Sequence, residues 1–587
     1  MSRIYSYITE QESGFKTQIP LEQGWFWNMK DHIRRSFLYK NSQFKDDNEN
    51  RKNRPYKNII RPILNIHYRT EGFDVKDIEI FVDNSDTYYK SFLVKKYHEK
   101  WALKNGMDTF IDQLVESYVD YGGVLVKNTR NVRPEVVDLR TIAFCDQTDV
   151  LSGPFAIKHY FSPSQLREMS KRGWDKAEIE FLITKSEAKK VQDKDSGEAK
   201  TPGRYIEIYE THNVSEADMD LTSDNTERMV YICGLYTGEG NNTQGVTLFS
   251  NPEPTLPFKF LKRDPIQGRA LGFGAIEELF EPQVWTNFAE IHIAGMLEHA
   301  SKVYYKSTDP KFKDQVLTDN ENGRVFDLQD GRDIAQIDNQ PRNLVAFTNY
   351  ATEMHEHAME MGAASDLFLG QQPTSGTPFK SLETQLVEGK SLHVWRQGRI
   401  STFVDEIYRD WLIPNFGREI TKGTKFLSVL SADEMITISE TLARNGANKR
   451  VKEELFKGKV VYREQYEEMK QLAQQNFLNG GNKRFLEILK DEMSGEKLDV
   501  STNIVGKQKD LALITDKLVN VLRQFIATPE IRQDPEMIKF LNSILESSGL
   551  SPIAYSPKLS TPQAQGGGPT QGLKALGESA KQEAQMV

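Results

Sequence analysis

The sequence predicts an α+β protein, predominantly helical, and three observations carry that expectation. Strand-like segments bounded by turn residues cluster between Arg133 and Tyr236. From Gly272 the character changes to long helices, the first with Val284, Trp285, Phe288, Ile291 and Gly295 along one stripe. Between two later helical stretches lies Gly362 to Lys380, rich in Gly, Pro, Ser and Thr. A loop of that length inside a compact domain is usually functional or disordered.

Size and composition set the outer bounds. A chain of 587 residues has room for three or four folding units. Its 38% hydrophobic and 27% charged residues place it with globular proteins and exclude the disordered and membrane-embedded classes. The richest apolar stretches are broken by Glu, Lys or His before they reach spanning length. Met1-Ser2-Arg3-Ile4-Tyr5 lacks an apolar core and a small-residue cleavage site, so no secretory signal is expected. The two cysteines, Cys145 and Cys233, could form one disulfide, but two free buried thiols suit assembly in a reducing cytoplasm. The net charge is −9. A protein that grips DNA by neutralising phosphates carries a basic excess, so DNA contact here is expected to be sparse, local or weak.

The elements follow in order. Residues 1–84 read as an N-terminal arm, in which Lys45, Arg51, Lys52, Arg54, Lys57 and Arg61 mix with Asp46, Asp47 and Glu49. Such a segment is a solvated, partly mobile arm, or a docking arm for another assembly component. An α/β region, 85–260, begins with a helix over Asp86 to Val126, where Phe92, Tyr97, Trp101, Phe110, Leu114 and Tyr118 recur and Gly122-Gly123 marks the stop. Strands are expected over Arg133 to Asp138, Ile142 to Cys145, Ala156 to Phe161, Arg204 to Thr211 and Met229 to Tyr236. Ser162-Pro163-Ser164 starts a short helix, and Lys185 to Gly203 is a charged exposed loop. A helical segment, 261–300, leads into a folded insertion, 301–342, with Glu321-Asn322-Gly323 and Gln329-Asp330-Gly331 as turns. Helix resumes over 343–361; after the loop 362–380 comes a long helix in 381–424, running from Ser381 to Ile413, where Pro414 ends or kinks it. Residues 425–552 are mainly helical, with a capping-box start at Ser431-Ala432-Asp433-Glu434, and 553–587 read as a disordered tail.

A search for chemistry finds no catalytic, metal or cofactor site. Gly389-Lys390-Ser391 resembles the end of a phosphate-binding loop, but the required earlier glycine position holds Thr384 and the motif falls mid-helix. Gly272-Phe273-Gly274 lacks the third glycine of a dinucleotide fingerprint and better suits a chain entering a helix in close packing. His355 and His357 do not share a helix face, and His292 and His299 have no accompanying ligand set.

One constellation stands out. Gly274 to Ala300 holds Glu277, Glu278, Glu281, Glu290 and Glu298 without a Lys or Arg, and Asn343 to Gly362 holds Glu353, Glu356 and Glu360, again without a base. Solvated helix faces usually interleave both signs. Repeated around a symmetry axis, each Glu becomes a negative belt that repels phosphate and leaves no deep trap for DNA. The following helix carries Lys380, Lys390, Arg396 and Arg399 against Glu383 and Glu388, as salt bridges or as weak backbone contacts to DNA.

The order of these parts resembles the portal, or head–tail connector, proteins of tailed bacteriophages: wing, stem helix, clip, second stem helix, tunnel loop, tunnel helix and crown. Leu256-Pro257-Phe258-Lys259-Phe260 followed by Gly272-Phe273-Gly274 and Gln283 to Asn287 is similar to the approach into the first stem helix. Asn322-Gly323-Arg324-Val325-Phe326 is similar to a clip turn, and Gly362 to Asp366 through Gly370 and Thr377 to a tunnel loop. The resemblance spans Asp86 to Ile420 and rests on pattern. It implies a homo-oligomeric ring, usually a dodecamer, at one capsid vertex of the virion, assembled in the host cytoplasm without membrane or cofactor. Double-stranded DNA would pass through it without sequence specificity during packaging and ejection. Partners would be the large terminase, the major capsid and scaffold proteins, and a neck or tail adaptor. On this resemblance Gly370, Gln371, Gln372, Pro373, Thr374, Ser375, Gly376, Thr377, Lys380 and Lys390 line the DNA channel, the eight Glu above form the acidic stem, and Lys302, Lys306, Lys311, Lys313 and Arg324 belong to the docking clip. The alternatives are another virion structural protein of the neck or baseplate, or a metal-dependent nucleic-acid-processing enzyme.

Overall fold

The computed structural model describes residues 3–46, 48, 52, 54–82, 88–129, 133–185, 205–220, 222–237, 243–302, 304–308, 310, 332–337, 341, 343–364, 379–430, 432–479, 483–488 and 498–502. They form a mixed α+β chain in which helix predominates. Two compact units separate: one holds the described residues up to Ser428 with 485–502, the other those of 429–484.

The larger unit is built around a five-stranded antiparallel sheet. Its order is Thr243–Pro252, Met229–Thr237, Ile206–Val214, Phe155–Phe161, Ile142–Phe144. The register sets Phe155 opposite His212 and Tyr209 opposite Cys233. A second sheet runs Phe258–Lys262, Gly123–Lys127, Glu135–Val137. Val124, Leu125 and Val126 are all buried, so this central strand reads as a continuous apolar run rather than an alternating one.

The described residues among the first 84, expected as an arm, contribute to this body. Helix Arg3–Gly14 places Ile4 and Ile8 four apart on one face, and both join a core with Phe15, Trp27, Leu125, Phe155 and Phe258. Helix Met29–Lys40 starts at Asn28, whose side chain accepts from the Asp31 N–H, and helix Ile60–Glu71 buries Ile60, Ile63, Leu64 and Ile66. After the smaller unit the chain returns, and Leu498–Thr502 pairs antiparallel with Ile78–Val82.

The helix expected over Asp86 to Val126 is instead two helices, Tyr88–Asn105 and Met107–Tyr121, followed by the Gly123–Lys127 strand. Gly106, at φ 66°, breaks the first from the second, and Gly122, at φ 76°, ends the second. A left-handed backbone is inexpensive only for glycine. Gly122 is also a crossing point: its carbonyl accepts from Arg263 N and Gly272 N, each at 2.9 Å. A Cβ on Gly272 would collide with the Arg263 carbonyl, and one on Gly274 with the Asp120 carbonyl. The Gly272-Phe273-Gly274 motif therefore serves close backbone packing, as the sequence suggested.

Beyond that crossing, Ala275–Glu278 and Phe280–Ser301 are helical with a break at Leu279. A short antiparallel pair, Tyr304–Ser307 with Ile334–Ile337, leads to helix Leu344–Met361. This helix runs back along the first, since Trp285 meets Tyr350 while His292, further on, stacks on Phe347.

Pro414, expected to end or kink the long helix, does not end it. Helix Phe379–Ile407 continues through a π-helical turn, Tyr408–Leu412, into helix Ile413–Thr421. Proline cannot donate and crowds the preceding turn. The wider turn, in which Ile413 N bonds to Tyr408 O, accommodates it. In the smaller unit, helices Ala432–Phe456 and Arg463–Asn479 pack together, joined by Lys470 to Glu440 at 3.1 Å.

Candidate functional site

The expected channel residues Gly370, Gln371, Gln372, Pro373, Thr374, Ser375, Gly376 and Thr377 lie outside the described residues, as do Lys311, Lys313 and Arg324. Lys380 and Lys390 lie on the long helix, with side chains outside the description, and Gly389-Lys390-Ser391 falls mid-helix. Lys302 precedes the strand Tyr304–Ser307 and Lys306 lies within it, both exposed.

The acids divide into two groups. Glu277 and Glu278 are taken up inside the fold, Glu277 by Arg269 Nη2 at 2.5 Å and Glu278 by Arg396 Nη2 at 3.0 Å. Glu290 pairs with Lys57 and Glu298 with Lys302, each at 2.9 Å. The count of base-free helices is right for their own sequence, yet bases arrive from elsewhere in the chain. Glu281, Glu353, Glu356 and Glu360 are exposed. The last three are spaced i, i+3, i+7 and so share a helix face.

A buried ionic cluster draws together separate elements of the larger unit. Helix Ile60–Glu71 supplies His67 and Glu71, the segment after strand Phe258–Lys262 supplies Arg263 and Asp264, and the long helix supplies His393 and Arg396. Glu278 completes it. Three donors converge on Glu71 Oε1: His67 Nδ1 at 2.9 Å, Arg263 Nη2 at 3.2 Å and His393 Nδ1 at 3.3 Å. Burial by itself would raise the Glu71 pKa, but the Arg263 charge and the two histidines outweigh it and hold the carboxyl well below the ordinary range. His67 is driven the other way, to about 4, because burial disfavours the imidazolium more than Glu71 favours it. On Glu278, burial dominates over Arg263 and Arg396 and raises the pKa.

His67, Glu71 and His393 bring their ligand atoms within 4.8 Å of one another, which resembles a metal site. The chemistry around them does not. Arg263 Nη2 stands 3.2 Å from the carboxylate and 3.4 Å from His67 Nδ1, so a guanidinium holds the place a cation would need. Arg396 Nη1 adds a second positive charge 3.7 Å from Glu71. This cluster fastens elements; it offers no ligand sphere.

What it fastens is informative. His393 Nε2 lies 3.3 Å from the carbonyl of Ala363, so the segment leaving helix Leu344–Met361 is tied to the long helix. Ala363 sits at φ 47°, a left-handed conformation uncommon for alanine. Gly362 packs against Ile63, where a Cβ would approach to 2.5 Å.

The sequence missed this cluster because its members lie far apart along the chain. Only the His67–Glu71 spacing of four on an apolar-faced helix hinted at it. A second buried set sits in the large sheet. There His212 lies between Glu253 at 2.8 Å and Glu210 at 3.3 Å, and the carboxylates outweigh burial and raise its pKa. Cys145 and Cys233 are free and buried, and His292, His299 and His357 are exposed. No described helix is long and apolar enough to cross a membrane.

No protein-family model and no curated protein matches the chain. Solved structures from gene transfer agent particles are similar to it. A chain of the neck of an empty particle, computed with C6 symmetry, has a TM-score of 0.35 at 9% identity and covers 94% of this chain and 100% of its own. A chain of the virion of a native particle gives 0.33 at 10% identity, with 94% and 100% covered. A chain of the native neck, computed with C12 symmetry, gives 0.29 at 10% identity, with 84% and 91% covered.

Proposed function

We propose that this chain is the portal subunit of a phage-like particle: a non-enzymatic protein that forms a ring at one capsid vertex and passes double-stranded DNA through its bore. The observation that carries this reading is the order of parts. A sheet-based body is followed by helix Phe280–Ser301, a strand pair, the returning helix Leu344–Met361, a Gly/Pro segment and a 29-residue helix, Phe379–Ile407. On this reading they are wing, stem, clip, second stem, tunnel loop and tunnel helix, with Ala432–Phe456 and Arg463–Asn479 belonging to the crown.

The electrostatics support the same reading. Glu356 and Glu360 are an i, i+4 like-charge pair with Glu353 on the same face, an arrangement that costs a helix about 0.2 to 0.5 kcal/mol per pair. A face that repels itself also repels phosphate, which suits a duct through which a polyanion must slide. In this assignment Glu353, Glu356 and Glu360 face the channel, while Glu277 and Glu278 serve the ion pairs described above. Gly370 to Thr377, with Lys380 and Lys390, would touch the duplex at its narrowest passage. Lys302, Lys306, Lys311, Lys313 and Arg324 would present the clip to terminase and then to a neck or tail adaptor. Capsid and scaffold proteins would meet the body.

Negative-stain imaging of the purified chain tests the proposal. Annular particles with a bore wide enough for a duplex are expected; a compact monomer under every condition would end it. The ring should also bind duplex DNA poorly at physiological salt, so nanomolar affinity with a steep salt slope would contradict the acidic channel.

A further inference from the structure

Two helices of the larger unit carry apolar stripes that the described residues leave partly uncovered. On helix Phe280–Ser301, Gln283, Asn287 and Ala289 are buried, whereas Val284, Trp285 and Phe288 remain 44%, 41% and 45% exposed. Trp285 and Phe288 pack edge to face at 5.6 Å, forming a rigid aromatic ridge. On helix Phe379–Ile407, His393, Arg396 and Gln397 point inward, while Leu392 and Trp395 are 40% and 53% exposed. Contiguous exposed aromatic surface of this kind marks a contact site.

The charges at the two stripes differ in sign, and neither has a counter-ion among the described residues. Glu281 lies one turn before Trp285 on the exposed side and makes no ion pair among the described residues. Arg399 stacks over the Trp395 ring at 5.4 Å and likewise has no carboxylate partner among the described residues. An acid-flanked ridge and a base-flanked stripe on different helices are complementary without being identical. Non-identical complementary surfaces are what a head-to-tail contact needs, and head-to-tail contacts make a ring where their rotation closes.

We infer that the occupant of each stripe is a second copy of this chain. The Val284/Trp285/Phe288 ridge of one copy docks on the Leu392/Trp395 stripe of the next, and Glu281 pairs with Arg399 across the contact. This rests on the portal reading and deepens it by naming the surfaces through which neighbours meet. Aromatic and arginine anchors in a desolvated patch are the usual hot spots of such contacts.

Charge reversal tests the inference. E281R, R399E and the double variant are compared with the wild-type chain by native mass spectrometry and negative stain at matched concentration, with far-UV circular dichroism reporting the fold. Each single reversal should cut the assembled fraction at least tenfold, since every contact then holds two like charges. The double variant restores opposite charges at every contact and should assemble within about twofold of wild type. Single variants that assemble as well as wild type, or a double variant no better than the singles, would overturn the assignment while leaving the ring intact. A wild-type chain that never assembles would overturn the portal reading itself. W395S supplies an uncharged check: it should lose assembly while keeping the helical signal, and normal assembly would count against the stripe.

Discussion

Acidification between pH 7 and 4.5 should weaken the fold through three buried histidines. His32, His67 and His98 are each lowered to about 4, in every case chiefly because burial disfavours the charged ring. Their unfolded value is about 6.5. A base with a depressed folded pKa binds its proton more readily in the unfolded chain. Its stabilising contribution is therefore complete above about pH 6.5 and is lost as pH falls towards 4. At pH 4.5 the unfolded ring is almost fully charged and the folded one mostly neutral, which costs about 2.5 kcal/mol per histidine. Three such groups amount to about 7.5 kcal/mol, comparable with the whole stability of many domains. His212, Asp120 and Glu278 are held above their ordinary values and act in the opposite sense, reducing that total.

The contribution of one ring isolates the effect. His98 packs against Tyr408 and Phe416, with Nε2 3.0 Å from the Tyr408 hydroxyl, and no charged group contributes to its shift. Replacing it with glutamine removes one titration while keeping a neutral polar side chain. Urea unfolding of wild type and His98→Gln, followed by near-UV circular dichroism at half-unit steps from pH 7 to 4.5, measures both slopes. The variant should be less stable at pH 7, yet its stability should fall less steeply, by about 1.4 kcal/mol per pH unit over the lower part of the window. Parallel slopes would refute the assignment of the acid sensitivity to this buried ring.

Other perturbations have definite outcomes. Arg263→Met leaves Glu71 buried without its principal cation and should cost about 3 to 5 kcal/mol, read from the urea midpoint at pH 7. Gly272→Ala puts a methyl group into the Arg263 carbonyl and should cost more than about 3 kcal/mol or prevent soluble expression. Burial raises the thiol pKa of Cys145 and moves that of Cys233 to about 12, so a thiol reagent at pH 8 should label neither cysteine in the native chain and both in denaturant.

How far these features were legible depended on whether the signal was local. The Gly122-Gly123 stop was readable because two glycines follow a periodic apolar run. Gly106 was not, since a lone glycine inside such a run is tolerated in a helix at a cost of about 1 kcal/mol. Val124 to Val126 reads as part of the preceding helix because a short apolar run fits a buried strand and a buried helix equally well. Pro414 marked an irregularity without giving its form: proline reports the local cost, while the π turn that absorbs it depends on packing around Tyr408 and Leu412, both buried. The ionic cluster was beyond reach. Arg263 and Glu71 are 192 positions apart, and His393 and Glu71 are 322 apart. No periodicity encodes a partnership of that separation, whereas the base-free helices could be counted directly. Even that count needed the structure to show that Glu277 and Glu278 were spoken for.

The cluster also explains why an uncommon backbone conformation survives at Ala363. A left-handed non-glycine residue costs on the order of 1 to 3 kcal/mol and persists only where its surroundings fix it. Here they do so from both sides. The Ala363 carbonyl meets His393 on the long helix, the next residue, Ala364, is 1% exposed, and Gly362 is held against Ile63 and near His67. His393 is in turn held by Glu71, whose charge is maintained by Arg263. The two helices flanking residues 365–378 are thus joined through one desolvated set of charges, and a change at Arg263 or Glu71 can reach Ala363 through His393 or, by way of His67, through Gly362. In the portal reading this makes the cluster the fixed mount from which the tunnel segment meets DNA. Force from a moving duplex would then pass into the sheet-based body through buried ion pairs, which bulk salt screens far less than exposed ones.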